Sequence, residues 1–143
     1  MKAVTVKVKL ENGARIPRYA TSGSAGLDLT ANETIIIPPK SWRAISTGVF
    51  FEVPEGYELQ IRSRSGLASK GVNVINQPGT IDSDYRGEIK AILHNHNTKA
   101  WQITRGDRIA QAVLSDAPRA ELVVVSELSE TARGEKGFGS TGR

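Results

Sequence analysis

NQPGTIDSDYRGEIKAIL (residues 76–93) carries the pattern that decides the fold. A strand-like run ends in Pro78-Gly79, and a tight polar excursion then carries Asp82, Ser83 and Asp84. Tyr85 leads through Arg86-Gly87 into Ile89, Ala91 and Leu93, which alternate with polar or mixed neighbours. Apolar residues at period two are the mark of half-buried strands, because successive side chains of a strand point to opposite faces. The segment therefore reads as a β-hairpin. The same period recurs at the N-terminus, where Val4, Val6, Val8 and Leu10 alternate with Thr5, Lys7 and Lys9. Further strand candidates are ETIIIP, SWRAISTGVFFEV, GYELQIR, AWQI, DRIAQAVL and AELVVVSEL, separated by turn signals such as ENGA, PPKS, VPEG, QPG and RGD. Helical periodicity never persists. Many short strands at close spacing predict an all-β sandwich or barrel, with one short helical turn in SGLASKG.

A chain of 143 residues with 38% hydrophobic and 24% charged residues fits one ordinary domain. The absence of cysteine excludes disulfide frameworks and thiolate metal sites. MKAVTVKVKLENG alternates instead of forming an apolar leader, and no apolar run reaches membrane-spanning length, so the expected setting is cytoplasmic. The net charge of +4 is scattered without a basic block or aromatic interleaving. It suits a small anionic ligand at least as well as a nucleic acid. The one shift in composition falls near residue 130, which divides the chain into a body over 1–130 and a glycine-rich segment over 131–143.

Several stretches carry groups able to do chemistry. Asp82 and Asp84 beside Tyr85 suit a base that activates water next to a stacked sugar or base; they equally suit an acidic turn kept solvated by its charges. In RSRSGLASKG, Arg64 and Ser65 stand directly before Gly66, so a planar guanidinium, a hydroxyl and closely approachable backbone N–H groups are offered to an anion. In TSGSAGLDLTA, Asp28 sits among small and apolar residues and needs a partner, either an arginine or a hydrated cation. Gln111 interrupts an otherwise small and apolar row, as a strand bridge or as a ligand. His94 and His96 have no triad or metal-ligand spacing. Neither a P-loop nor a dinucleotide-binding glycine motif is present. The last stretch, ETARGEKGFGSTGR, has four glycines and little apolar surface beyond Phe138, so burial cannot offset the entropy of ordering it. Its Arg133, Lys136, Ser140, Thr141 and one flat ring are groups that grip a polyphosphate and stack on a base.

Taken in order, AGLDLTA, RSGLA, GTIDSDYRGEI, RGDRIAQ and RGEKGFGSTG resemble the five motifs of the trimeric dUTP diphosphatases (dUTPases), over nearly the whole chain. The resemblance implies a β jelly roll, a homotrimer with active sites shared between subunits, and hydrolysis of dUTP to dUMP and pyrophosphate with Mg²⁺. It implies that Asp82 is the general base and that Asp84 is structural. Arg64, Ser65, Gly66 and Gln111 would contact the phosphates. Asn76 with Gly79, Thr80 and Ile81 would read the uracil edge, Tyr85 would pack on the deoxyribose and exclude a 2′-hydroxyl, and Lys90 would complete the substrate contacts. Asp28 would lie in the outer shell of the magnesium, acting through water. Residues 131–143 would form a lid in which Phe138 covers the uracil, Gly139 also contacts the substrate, Arg133, Ser140 and Thr141 hold the terminal phosphate, and the glycines let the segment wrap closely.

Two positions depart from the family pattern. Ser63 stands where proline is expected before Arg-Ser-Gly, and Lys136 where the tail usually has another glycine. Among alternatives, dCTP deaminase shares the fold and the phosphate loop, but IDSDYRG and GFGSTG favour the dUTPase. A silent nucleotide-binding jelly roll and a nucleic-acid binder drawn by net charge are the other two.

Overall fold

The computed structural model describes residues 2–142. In chain order the elements are β1 (Lys7–Leu10), β2 (Arg18–Tyr19), β3 (Leu27–Thr30), β4 (Ile35–Ile37), β5 (Ser41–Glu52), β6 (Tyr57–Arg62), α1 (Ser65–Ala68), β7 (Val72–Val74), β8 (Gly79–Ile81), β9 (Glu88–Asn95), β10 (Trp101–Ile103) and β11 (Arg108–Asp116). They form a four-stranded sheet in the order β1-β5-β9-β7, a five-stranded sheet in the order β2-β3-β11-β6-β8, and the two-stranded piece β10-β4. Every strand pair is antiparallel. The architecture is of the jelly-roll type. No described helix is long and apolar enough to cross a membrane.

Period two produces the core directly. On β9, Ile89, Ala91, Leu93 and Asn95 point inward, and on β5 Ile45, Thr47, Val49 and Phe51 do the same. They meet Leu29, Leu59, Ile61, Ile109 and Ala112 from the opposite sheet. Burying each large aliphatic side chain contributes about 1.5–3 kcal/mol. Two polar residues are buried among them with their hydrogen bonds satisfied. Thr47 donates to the Ile89 carbonyl at an irregularity in β5, where Gly48 takes φ +68. Asn95 donates to the carbonyls of Ile37 (3.1 Å) and Lys99 (2.9 Å), and its Oδ1 accepts from the Asn97 amide (3.0 Å). That side chain fastens the β4–β10 corner to the end of β9.

Three readings change. The hairpin expected over residues 76–93 is a crossover: β8 pairs with β6 in one sheet, while β9 pairs with β5 and β7 in the other. Turn chemistry marks where the chain reverses but does not say which strand receives it. The strand candidate AELVVVSEL is not a strand. The last strand ends at Asp116, and Leu122, Val124 and Leu128 are 90%, 98% and 87% exposed. A strand needs a ladder partner, and the single chain provides none there. Finally, β1 covers only residues 7–10 of the N-terminal alternating run, and Val8 and Leu10 remain over a third exposed at the edge of their sheet.

Candidate active site

The phosphate-binding candidates come together where β6 leaves its sheet. After Arg62 the chain passes Ser63 and enters α1 through Arg64, whose extended backbone (φ −96, ψ 135) precedes the turn. The central strand β11 brings Gln111 opposite both Asp28 on β3 and Arg62 on β6. Asp28, Arg64, Ser65, Gly66 and Gln111, with Ala20 and Ser24–Gly26, line a cleft of about 250 Å³. Gly26 is required for this packing, because a Cβ there would stand 2.3 Å from Gln111 Oε1. Nothing lies within 4 Å of a Cβ built on Gly66, so that backbone faces open space.

Asp28 is an ion-pair partner. Its Oδ1 accepts from Arg64 Nε at 3.1 Å, and Arg108 Nη1 stands 3.8 Å from Oδ2. Its side chain is only 19% exposed, so the charge of Arg64 matters more there than it would in open water. Among the described residues no group of three or more His, Asp or Glu side chains is placed to hold a metal ion. A magnesium ion held through a triphosphate fits these residues, with Asp28 Oδ2 free of a direct hydrogen bond and available to a metal-bound water; an all-protein cage does not fit.

The second group runs along β8 and into the turn that follows it. Gly79 is buried, Thr80 is exposed and Ile81 is half-buried. Asn76 lies over Gly79, its Nδ2 3.1 Å from the position of a Cβ there. The turn that follows is closed by the Tyr85 N–H donating to the Asp82 carbonyl at 3.1 Å. Arg86 Nη1 donates to the Ser83 carbonyl at 2.6 Å and Arg86 Nε stands 3.7 Å from Glu52, which ties the turn to β5. Tyr85 Oη donates to the Glu88 carbonyl at 2.9 Å. The ring lies against Gly87, where a Cβ would stand 2.3 Å from Oη. Lys90 is exposed on β9, 3.9 Å from Glu88, and lines neither cleft.

Asp82 and Asp84 border an open cleft of about 1170 Å³ that also holds Glu52, Glu55, Glu58 and Asp116 against Arg86 and Arg119. Carboxylates in that excess repel a triphosphate, so this side of the chain suits a base and not a phosphate grip. Gly79 pairs with Ile61 close to the phosphate-side group, but Asp82 and Arg64 lie toward opposite ends of the β8–β6 pair. Ile81, next to Asp82, pairs with Leu59, whereas Arg64 follows Leu59 by five residues (64 minus 59), or about 16 Å at ~3.3 Å per strand residue.

The tail candidates join neither group. Phe138 is fully exposed at φ 52, and Arg133 Nε donates to the Lys136 carbonyl at 2.7 Å. Turns within the tail join Gly137 to Ser140 and Gly139 to Gly142, and Thr141 and the Lys136 side chain are exposed. Among the described residues no hydrogen bond or ion pair links 118–142 to the rest of the chain. The sequence reading passed over Gly26, Gly87, Gln77 and Arg108. Glycine two residues before Asp28 and two after Tyr85 was the available signal for the first two; nothing local marks the others.

This arrangement has known counterparts. The dUTPase family profile matches residues 12–142. The chain is 54% identical over 136 residues to the deoxyuridine 5'-triphosphate nucleotidohydrolase of Nautilia profundicola, covering 94% of this chain and 96% of that one. It is 51% identical over 144 residues to the protein of the same name from Helicobacter hepaticus, covering 99% and 91%. The Staphylococcus bacteriophage 80alpha dUTPase G164S mutant with dUpNHpp superposes with a TM-score of 0.92 at 30% identity, covering 99% of this chain and all of that one. The D95N mutant dUTPase from phage phi11 of S. aureus, described as coordinating a structural Mg(II) ion, superposes with a TM-score of 0.82 at 27% identity, covering 89% of this chain and 100% of that one. With the family profile matching residues 12–142 and more than half of the residues identical to these relatives over nearly the whole chain, this chain belongs to the dUTPase family.

Proposed function

We propose that the chain hydrolyses dUTP to dUMP and pyrophosphate, by attack of water on the α-phosphorus with departure of the β,γ-pyrophosphate. The observation that carries this reading is the gathering of Arg64, Ser65, Gly66, Gln111 and Asp28 from separate elements into one cleft, in a chain whose residues 12–142 match the dUTPase family. Arg64 and the Ser65 hydroxyl hold phosphate oxygens, with Gln111 beside them. Asp82 accepts the proton of the attacking water. Gly79, Thr80 and Ile81 present backbone groups, with the Asn76 amide, to the uracil edge; a cytosine amino group would place a donor against a donor. Tyr85, fixed by its bond to the Glu88 carbonyl and by contact with Gly87, packs on the deoxyribose and leaves no room for a 2′-hydroxyl. A magnesium ion carried by the triphosphate supplies charge neutralisation at the phosphates, with Asp28 accepting from its water. Positioning and charge stabilisation do the rest.

The active form is a homotrimer. Two observations support it: Asp82 and Arg64 of one chain stand too far apart to act on one phosphorus atom, and the apolar run Leu122–Val125 is uncovered in the single chain. Each site is then completed by neighbouring copies, the body of residues 1–130 provides the walls, and residues 131–143 close over a bound nucleotide, with Phe138 on the uracil and Arg133, Ser140 and Thr141 on the terminal phosphate. Its setting is the cytoplasm, where dUMP feeds thymidylate synthesis and a low dUTP level limits uracil incorporation into DNA. Pyrophosphate release with Mg²⁺ from dUTP, dTTP, dCTP and UTP tests the reading. Release from dUTP alone is expected; equal release from UTP would remove Tyr85 from its role, and ammonia from dCTP would replace the reaction.

A further inference from the structure

Ser63 stands where the family pattern has proline, and it uses what a proline lacks. Its N–H donates to Gln77 Oε1 at 2.9 Å, and its Oγ accepts from the Val74 N–H at 2.9 Å. Its carbonyl, which a proline would also offer, accepts from Gln111 Nε2 at 2.9 Å. One residue thereby joins three segments: the end of β7, the stretch 75–78 that leads through Asn76 into Gly79, and the side chain of Gln111 on β11. Proline removes the donor to Gln77 and the hydroxyl acceptor together. Val74 is buried, so its amide depends on the Ser63 hydroxyl for a partner. Gln77 is exposed, and its side chain is held in place by this bond alone among the described hydrogen bonds, which makes the Ser63–Gln77 contact separable from the core.

We infer that Ser63, through Gln77 and Val74, is a positioning residue that fixes the phosphate loop Arg64-Ser65-Gly66 and the phosphate-side amide of Gln111 against the end of β7 and the stretch 75–78. This rests on the site assignment under Proposed function. Arg64 follows Ser63 directly, so a shift of the Ser63 backbone carries the guanidinium and the Ser65 hydroxyl with it. The loop has few other anchors: Arg64 is held by Asp28, and α1 is a single turn with no side-chain cap. The junction sets the donors in place before substrate arrives. Its loss therefore removes binding shared by ground state and transition state, which raises KM and leaves kcat nearly unchanged.

The test is a double-mutant cycle of Ser63→Pro and Gln77→Met, read as KM and kcat for dUTP beside the melting midpoint and oligomeric state. Gln77→Met is expected to raise KM about tenfold, the factor that one net hydrogen bond supplies, and Ser63→Pro, which removes two, by at least as much. kcat is expected to stay within about twofold. The double variant should be no worse than the more impaired single one. Gln77→Glu keeps an acceptor for the Ser63 N–H and is expected to restore KM, a rescue that a merely structural role would not produce. If Ser63→Pro fails to fold, the contrast between Gln77→Met and Gln77→Glu decides alone. Additive effects, or an unchanged KM in Gln77→Met, overturn the inference. Asp82→Asn is run beside them: collapsed turnover with normal Gln77→Met kinetics rejects the junction but keeps the site, whereas normal turnover in Asp82→Asn rejects the site assignment itself.

Discussion

Arg64 Nε donates to Asp28 Oδ1 at 3.1 Å, across the gap between the short helix and β3. An acidic side chain of a motif implied to serve a metal ion is thus the fixed partner of the arginine proposed for the phosphates. Asp28→Asn keeps the shape and removes the charge that holds the guanidinium. The expected result is a loss of about 10- to 100-fold in kcat/KM for dUTP, the scale of a charge-assisted hydrogen bond. Steady-state kinetics at saturating Mg²⁺ checks it, since an ion held only through Asp28 would instead be rescued by more metal.

The Tyr85 ring has no room to move toward Gly87. Gly87→Ala introduces a methyl 2.3 Å from the present position of Oη and forces the ring outward over the sugar site or away from it. The ratio of kcat/KM for dUTP over UTP is expected to fall by about tenfold, the cost of one lost steric exclusion of ~1–2 kcal/mol. A competition assay with both nucleotides measures the ratio directly.

Truncation after Glu130 removes the tail without breaking any described hydrogen bond to the body. The oligomer is expected to survive in light scattering while kcat/KM falls at least 100-fold. Loss of stacking by Phe138 alone accounts for ~1–3 kcal/mol, and the phosphate contacts add to it. Normal hydrolysis by the truncated protein would end the lid assignment.

Asn95→Leu keeps the volume inside the fold but leaves the Ile37 and Lys99 carbonyls without their donor. About 2–3 kcal/mol of stability should be lost, because buried acceptors then go unpaired. Urea unfolding read as a shift in midpoint at constant slope tests this.

Glu52 lies opposite Lys7 on the neighbouring strand, 2.8 Å from its Nζ, and Arg86 approaches from the Asp82 turn. The hydrogen bond from Lys7 first, then the charge of Lys7, and last the charge of Arg86 hold the carboxyl below its ordinary value of 4.5. A carboxyl lowered on folding stabilises the folded chain above its unfolded value, and that contribution disappears as the pH falls through the lowered value. Glu52→Gln should therefore be slightly less stable than the parent above pH 4.5, by a small amount because the pair is solvent-exposed, and converge with it as the pH falls, which flattens the acid limb. Thermal melts across that range read the difference.

The alternation of Ile89, Ala91 and Leu93, and of Ile45, Val49 and Phe51, determined by itself that the chain is all-β and which side chains fill the core, because side-chain direction along a strand is a local property. The ordered motifs fixed the family, and the glycine and hydroxyl residues of SGLASKG marked the one helical turn. Tertiary structure alone decided which strands pair. Residues 79–81 and 88–95, which look like two arms of one hairpin, entered different sheets, and the antiparallel register of β8 on β6, with Ile81 opposite Leu59, set Asp82 toward the end away from Arg64. It alone turned Ser63 from a missing proline into a junction, through a partner 14 residues away in Gln77. It alone left AELVVVSEL without a ladder, since a strand exists only where another backbone meets its N–H and C=O groups, and that meeting is never written in the strand's own residues.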